Sequence, residues 1–176
     1  QGVTQAHTEG IAEIILFHHA QGLTEGLRDM ADRLRAAGHE VHTPDIYSGA
    51  VFKRLDEGLA FASRIGHDAI EEVARRAARK HPRANTVIGF SLGAFPAQLL
   101  AQEWNKIDSL VLVAGGLPPR ETLLRHARAP HVHRYPGLGH MFVDPSSPDY
   151  DADAADLFEE RLLAWLDEGD RVRSHP

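Results

Sequence analysis

Apolar residues in this chain fall into short unbroken runs, set between longer stretches where they recur every three or four positions. Residues 11–17 (IAEIILF) form the first run, long enough for a buried strand and too short for a helix. His18, His19, Ala20, Gln21 and Gly22 make a loop after it. Thr24 can then cap a helix whose Leu27, Met30, Ala31 and Leu34 follow the i, i+3, i+4, i+7 rule. Gly38 suits the position just past that helix. Residues 39–43 (HEVHT) predict a second strand, closed by Pro44 and Asp45. Residues 53–80 read as helix broken near Gly66. Ile70, Val73, Ala74 and Ala77 form the stripe of its second piece, and His81-Pro82 stops it. A third strand over 86–90 leads through Ser91, Leu92 and Gly93 into a helix over 94–104. Residues 109–114 (SLVLVA) and 131–135 predict the fourth and fifth strands. A last helix near 152–167 puts Ala155, Phe158, Leu162 and Trp165 on one face. Trp104 and Trp165, among aliphatic neighbours at helical spacing, are expected to pack rather than to touch ligand. No repeat and no low-complexity segment interrupts the pattern.

Strands that are nearly continuous apolar runs, separated by helices, predict a mostly parallel sheet covered on both faces. The expected architecture is a three-layer α/β sandwich with about five strands. Such sheets bind ligands beyond the carboxyl ends of their strands. The loops after Phe17, Thr43, Phe90, Ala114 and Tyr135 are therefore where chemistry is expected. At 176 residues, one domain spanning 1–176 is expected, with 1–9 and 169–176 as flexible ends.

Composition narrows the chemistry. The absence of cysteine excludes disulfide scaffolds, zinc-thiolate sites, iron–sulfur clusters and a cysteine nucleophile. A net charge of −6 argues against a nucleic-acid or polybasic membrane partner. Twelve histidines, most of them expected to be solvated, would bring the charge to about +6 in acid, reversing its sign near pH ~6. No apolar run approaches the ~20 residues of a membrane span. The polar start Gln1-Gly2-Val3-Thr4-Gln5 lacks the layout of a secretory signal. A cytoplasmic protein, monomer or homodimer, is expected, with no membrane or nucleic-acid partner. Asp149, Asp151, Asp153 and Asp156 supply favourable charge at a helix N-terminus. Neither a GxxxxGKS loop nor a strand-linked GxGxxG is present, so no nucleotide and no cofactor is expected. His131 and His133 share a strand face, and His18-His19 ends a strand. No HExxH or other zinc spacing accompanies them, so no metal is expected.

Gly89-Phe90-Ser91-Leu92-Gly93 fits G-x-S-x-G between an expected strand and an expected helix. A tight turn there lifts the serine hydroxyl above the strand end, beside a helix N-terminus that favours developing negative charge. Serine is a poor nucleophile without a base. His140, after the fifth predicted strand in Tyr135-Pro136-Gly137-Leu138-Gly139-His140, is the candidate, and the order Ser…His suits this chemistry. Two backbone N–H groups should face the oxyanion: that of Leu92 and one near Ala20. Pocket walls are expected from residues 18–23, 47–52 and 117–119.

At these residues the sequence resembles the dienelactone hydrolase family of α/β-hydrolases. The likeness runs through ILFHHAQGLTEGLRDMADRLRAAGHEVHTPDIY, VIGFSLGAFPAQLLAQ, YPGLGHMFVD and the last helix, most of the chain. It implies an α/β-hydrolase fold and cleavage of a small ester or lactone through an acyl-enzyme on Ser91, with His140 as base. The founding members use cysteine, and serine is the variant of small bacterial relatives. The family also implies an oxyanion N–H in loop 18–22. His19 stands there where classical members carry a glutamate, and His19 and Gln21 are the expected substrate contacts.

The family's acidic residue follows a strand between SLVLVA and YPGLGH. Here only LPPRETLLRHARAPHVHR intervenes, shorter by about one βα unit, roughly 30 residues. Three explanations compete. Glu121, the sole carboxylate in that stretch, serves as the acid; Asp45 or Asp144 reaches His140 from another loop; or the chain lacks a segment of the natural protein. Two other functions compete with hydrolysis. One is a hydrolase fold that binds ligand without efficient turnover. The other is a flavodoxin-like binding domain of strand order 2-1-3-4-5, which predicts a relaxed Ser91 where a hydrolase predicts a strained one.

Overall fold

Four apolar residues follow Glu13 to make β1 (Glu13–Phe17), buried on both sides because helices cover each face of the sheet. The computed structural model describes residues 11–115, 133, 135 and 139–173. In chain order β1 is followed by α1 (Glu25–Ala36), β2 (Glu40–His42), α2 (Leu55–Ile65), α3 (His67–Lys80) and β3 (Thr86–Phe90). A 3₁₀ turn over Ser91–Gly93 then opens α4 (Ala94–Glu103), before β4 (Ser109–Val113) and α5 (Ala152–Arg173). Thr24 caps α1 as expected, its hydroxyl accepting the Leu27 N–H at 3.3 Å. The helical stretch before β3 breaks at Gly66, whose φ of 82° a side chain would resist.

Among the described residues all pairings are parallel and the order is β2-β1-β3-β4. Four strands are described where about five were expected. His133 and Tyr135 lie in no strand, and the rest of the expected fifth strand falls outside the described residues. Strand alternation sends Ile14, Leu16, Ile88 and Phe90 to one side, against Leu27 and Met30 of α1 and Phe158 and Leu162 of α5. Ile15, Phe17 and Val87 point to the other side, against Ile70 and Ala74 of α3 and Leu100 of α4. Each large aliphatic buried in these two cores contributes about 1.5–3 kcal/mol relative to an exposed one. The sandwich thereby fixes the carboxyl ends of β1 and β3 side by side, and the loops of interest grow from those ends.

Candidate active site

β3 ends in the Gly89-Phe90-Ser91-Leu92-Gly93 turn, and Ser91 holds φ at 50°. That left-handed conformation costs an L-residue roughly 1–2 kcal/mol and persists only where its surroundings enforce it. The enforcement is close packing of backbone. A Cβ at Gly93 would run into the Phe17 and His18 carbonyl oxygens, and one at Gly89 into the backbone of Gly93. Past the end of β4, Ala114 also has a positive φ, 53°, which brings Gly115 against the main chain of Ser91.

Ser91 Oγ lies 2.7 Å from His140 Nε2. With Nε2 accepting the hydroxyl proton, the neutral ring carries its hydrogen on Nδ1. His140 is exposed, but the residues after it anchor the loop. Met141, Phe142 and Val143 are buried in the core under α1 and α5. The His140 N–H donates to Asp149 Oδ2 at 3.0 Å, and the Asp151 N–H donates back to the Phe142 carbonyl at 3.0 Å.

The loop after β1 is a tight turn closed by the Gly22 N–H on the His19 carbonyl at 3.0 Å, with Ala20 and Gln21 at its centre. Ala20 is buried against α2, which approaches so closely that a Cβ at Gly58 would strike the Ala20 carbonyl. Burial pushes the Tyr47 phenol up to about 12, so its hydroxyl remains a donor to the Gly58 carbonyl, 3.2 Å away. Leu92, the residue after the nucleophile, lies in the turn into α4. Its N–H is among the first of a helix, which have no acceptor within it.

His19 departs from the expected substrate contact. It is fully buried, with both ring nitrogens engaged: Nδ1 accepts the Gln21 N–H at 3.2 Å, and Nε2–H donates to Asp144 Oδ2 at 2.7 Å. Asp144 also accepts from the Thr24 hydroxyl at 2.7 Å and the Ser146 N–H at 2.8 Å. Burial opposes ionisation of Asp144, but the hydrogen bonds from His19, Thr24 and Ser146 outweigh it and hold the carboxyl below its ordinary range. Asp144 is therefore committed to His19 rather than to His140. Asp45 is committed as well: its oxygens accept the Tyr47 and Gly49 N–H groups at 2.9 and 2.7 Å, beside the His18 ring. Both expectations that these carboxylates serve His140 are corrected. Glu121, the remaining candidate, lies outside the described residues.

A cavity of ≈ 550 Å³ opens beside His140, lined by Gln21, Lys53, Leu55, Leu59 and Met141 among others. Gln21 is braced there by its Nε2 donating to the Lys53 carbonyl at 3.0 Å. The wall expected from residues 47–52 comes instead from the start of α2, because Tyr47 turns inward onto Phe52 and Phe61. Residues 117–119 lie outside the described residues. Sequence reasoning missed both Leu55 and Leu59 of this wall and the Thr24–Asp144 bond. The exposed apolar pair Leu55 and Leu59, one helical turn apart, was the available signal for the wall.

Residues 15–175 match the alpha/beta hydrolase family, and the chain belongs to that family. Within it, the fold is that of dienelactone hydrolase-like structures. A dienelactone hydrolase-like promiscuous phosphotriesterase from metagenomic libraries superposes with a TM-score of 0.68 at 16% identity, covering 93% of this chain and 89% of the other. A protein of Klebsiella pneumoniae subsp. pneumoniae MGH 78578, provisionally named a dienelactone hydrolase, gives 0.63 at 19% identity, covering 90% and 86%. A search of curated proteins found no match. The strand order alone would also suit a flavodoxin-like sheet. The family match and the positive φ of Ser91 decide for the hydrolase fold. No helix among the described residues is long and apolar enough to cross a membrane.

Proposed function

We propose that this protein hydrolyses a small carboxylic ester or lactone through an acyl-enzyme on Ser91. The 2.7 Å contact of Ser91 Oγ with His140 Nε2, made by a serine in the left-handed region, carries this reading. Ser91 Oγ attacks the carbonyl carbon while its proton passes to His140 Nε2. The oxyanion that forms faces the N–H groups of Leu92 and Ala20. His140 then returns the proton to the alkoxide as the carbonyl–alkoxide bond breaks. In the second half it draws one from the water that attacks the acyl carbon and passes it to Ser91 Oγ as the acyl–Oγ bond breaks, releasing the acid. The cavity beside His140 falls in the size range of small-ligand sites, and Leu55, Leu59 and Met141 give it an apolar wall with Gln21 as a polar contact.

The imidazolium formed during attack needs an orienting carboxylate. With Asp45 and Asp144 engaged elsewhere, Glu121 is the candidate we retain. Glu121→Gln should lower kcat by up to about 10⁴-fold if the carboxylate acts as in a serine triad, whereas a solvated glutamate leaves kcat unchanged.

A fluorophosphonate probe tests the nucleophile directly. Wild-type protein should be labelled on Ser91, with nitrophenyl-ester turnover lost in Ser91→Ala. Absence of label on folded wild type, or equal labelling of Ser91→Ala, would sink the proposal. Assaying an aryl ester, a lactone and an aryl phosphotriester in parallel separates carboxylic from phosphoric esters. The phosphotriester arm is included because one structural neighbour is named for that activity.

A further inference from the structure

We propose that Glu13, His42 and His81 form a binding site for a divalent transition metal of the zinc type, on the rim of the sheet opposite Ser91. Glu13 and Glu40 are register partners at the amino ends of β1 and β2, whereas Ser91 follows the carboxyl end of β3. In a parallel sheet these are opposite rims. Period-two alternation places Glu40 and His42 on one face of β2, the face that Glu13 shares through its register. The chain leaving α3 then brings His81 onto the same spot, its ring stacked on that of His42 with centroids 3.4 Å apart. One carboxylate and two imidazoles, drawn from three separate elements, thus offer ligand atoms that all lie within 4.8 Å of one another.

The chemistry of this set is selective. Imidazole with carboxylate suits zinc, copper and nickel, and two histidines with one glutamate is an established three-ligand zinc set that leaves a fourth position for water. Zinc bonds of ~2.0–2.1 Å separate tetrahedral ligand atoms by roughly 3.3 Å. His42 Nε2 and Glu13 Oε1 are already 3.1 Å apart, so a metal can sit between them when the neutral ring carries its hydrogen on Nδ1 instead of Nε2. His81 must tilt out of its stack to complete the set; it caps the end of α3 and is only partly buried.

The surroundings tolerate a cation. Glu13 Oε2 accepts from Arg83 Nε at 3.1 Å, but that arginine is 77% exposed and leaves Oε1 to the His42 side. Glu40 adds a second carboxylate, 3.5 Å from His42. The C-terminal end of α3, whose Ala77 carbonyl accepts the His81 N–H, presents partial negative charge to the site. A groove of ≈ 470 Å³ lined by His42, Thr43, Asp45 and His81 opens beside the rings and provides an approach from solvent. Its further lining by Arg35, Arg76 and Lys80 weakens the attraction for a cation. The ligands were invisible to motif reading because positions 13, 42 and 81 carry no zinc spacing.

Calorimetric titration with zinc(II) alone, paired with visible spectra of the cobalt(II)-loaded protein, tests the site. Wild type should bind one equivalent and show tetrahedral cobalt absorption. His42→Ala, His81→Ala and the milder His81→Gln should each bind at least ~10-fold more weakly and lose that absorption. His140→Ala should bind like wild type, which excludes the Ser91–His140 pair as the metal's seat. Zinc should raise the melting temperature of wild type and His140→Ala but not of the His81 variants, which also reports that each is folded. Failure of wild type to bind saturably would overturn the site. So would unchanged affinity in both His81 variants, or loss of binding in His140→Ala instead. None of these outcomes depends on esterase activity.

Discussion

Ser91 and His140 meet because main-chain contacts hold both residues. The serine sits where glycines at 89, 93 and 115 let three backbones converge, and a side chain at any of them would strike main-chain atoms. Gly115 is the most informative. A Cβ there would lie 2.6 Å from the Ser91 carbonyl oxygen and 2.9 Å from its Cα, inside any permitted contact. Gly115→Ala should displace the nucleophile and lower kcat by about 10²-fold, the order expected for a misplacement of ~1 Å. Far-UV circular dichroism of that variant should remain native. Unchanged turnover would show that the loop after β4 yields instead. At this scale the elbow was readable from sequence, since G-x-S-x-G between an apolar run and a helical stripe is a local pattern. The role of Gly115 was not, because its partner is 24 positions away and only the parallel pairing of β3 with β4 brings them together.

Two loops and one helix end are joined by the buried His19–Asp144–Thr24 set. Thr24 Oγ1 both caps α1 and donates to Asp144, and the Gly26 N–H donates to Ser146 Oγ at 3.0 Å, so the loop carrying His140 is seated on the N-terminus of α1. Asp144→Asn would turn an acceptor into a donor facing His19 and Thr24. It should cost about 1–3 kcal/mol of unfolding free energy in urea, the order for leaving buried hydrogen-bond donors unsatisfied. It should also reduce kcat, since the Ala20 turn and His140 lose their common anchor. The folded-state carboxyl titrates below its unfolded value, so its stabilisation is complete above the unfolded pKa of 3.8 and disappears as pH falls through the lowered folded value. The variant should therefore show a shallower loss of stability than wild type below about pH 4. An identical acid profile would assign that loss to other carboxylates. Helix and strand positions were legible from periodicity, while the His19–Asp144 pair, 125 positions apart, left no local trace.

At the scale of the molecule, the described residues form two cores divided by one sheet, and this makes its energetics separable. Ile88 packs among α1 and α5, Ile70 among α2, α3 and α4, with the sheet between them. Ile88→Val and Ile70→Val should each cost about 0.5–1.5 kcal/mol, and the double variant their sum within ~0.5 kcal/mol. A larger departure in denaturant unfolding would show strain passing through the sheet. What the sequence by itself determined are properties that repeat locally: alternation and helical stripes, the elbow, the cap at Thr24 and the α/β layering. Tertiary structure alone decided which distant groups are partners. It placed His140 against Ser91, engaged Asp144 and Asp45 with other partners, buried His19, and gathered Glu13, His42 and His81. The physical reason is that periodicity reports which face of its own element a residue occupies. Its partner across the molecule depends on strand order, register and loop anchoring, which no single segment encodes.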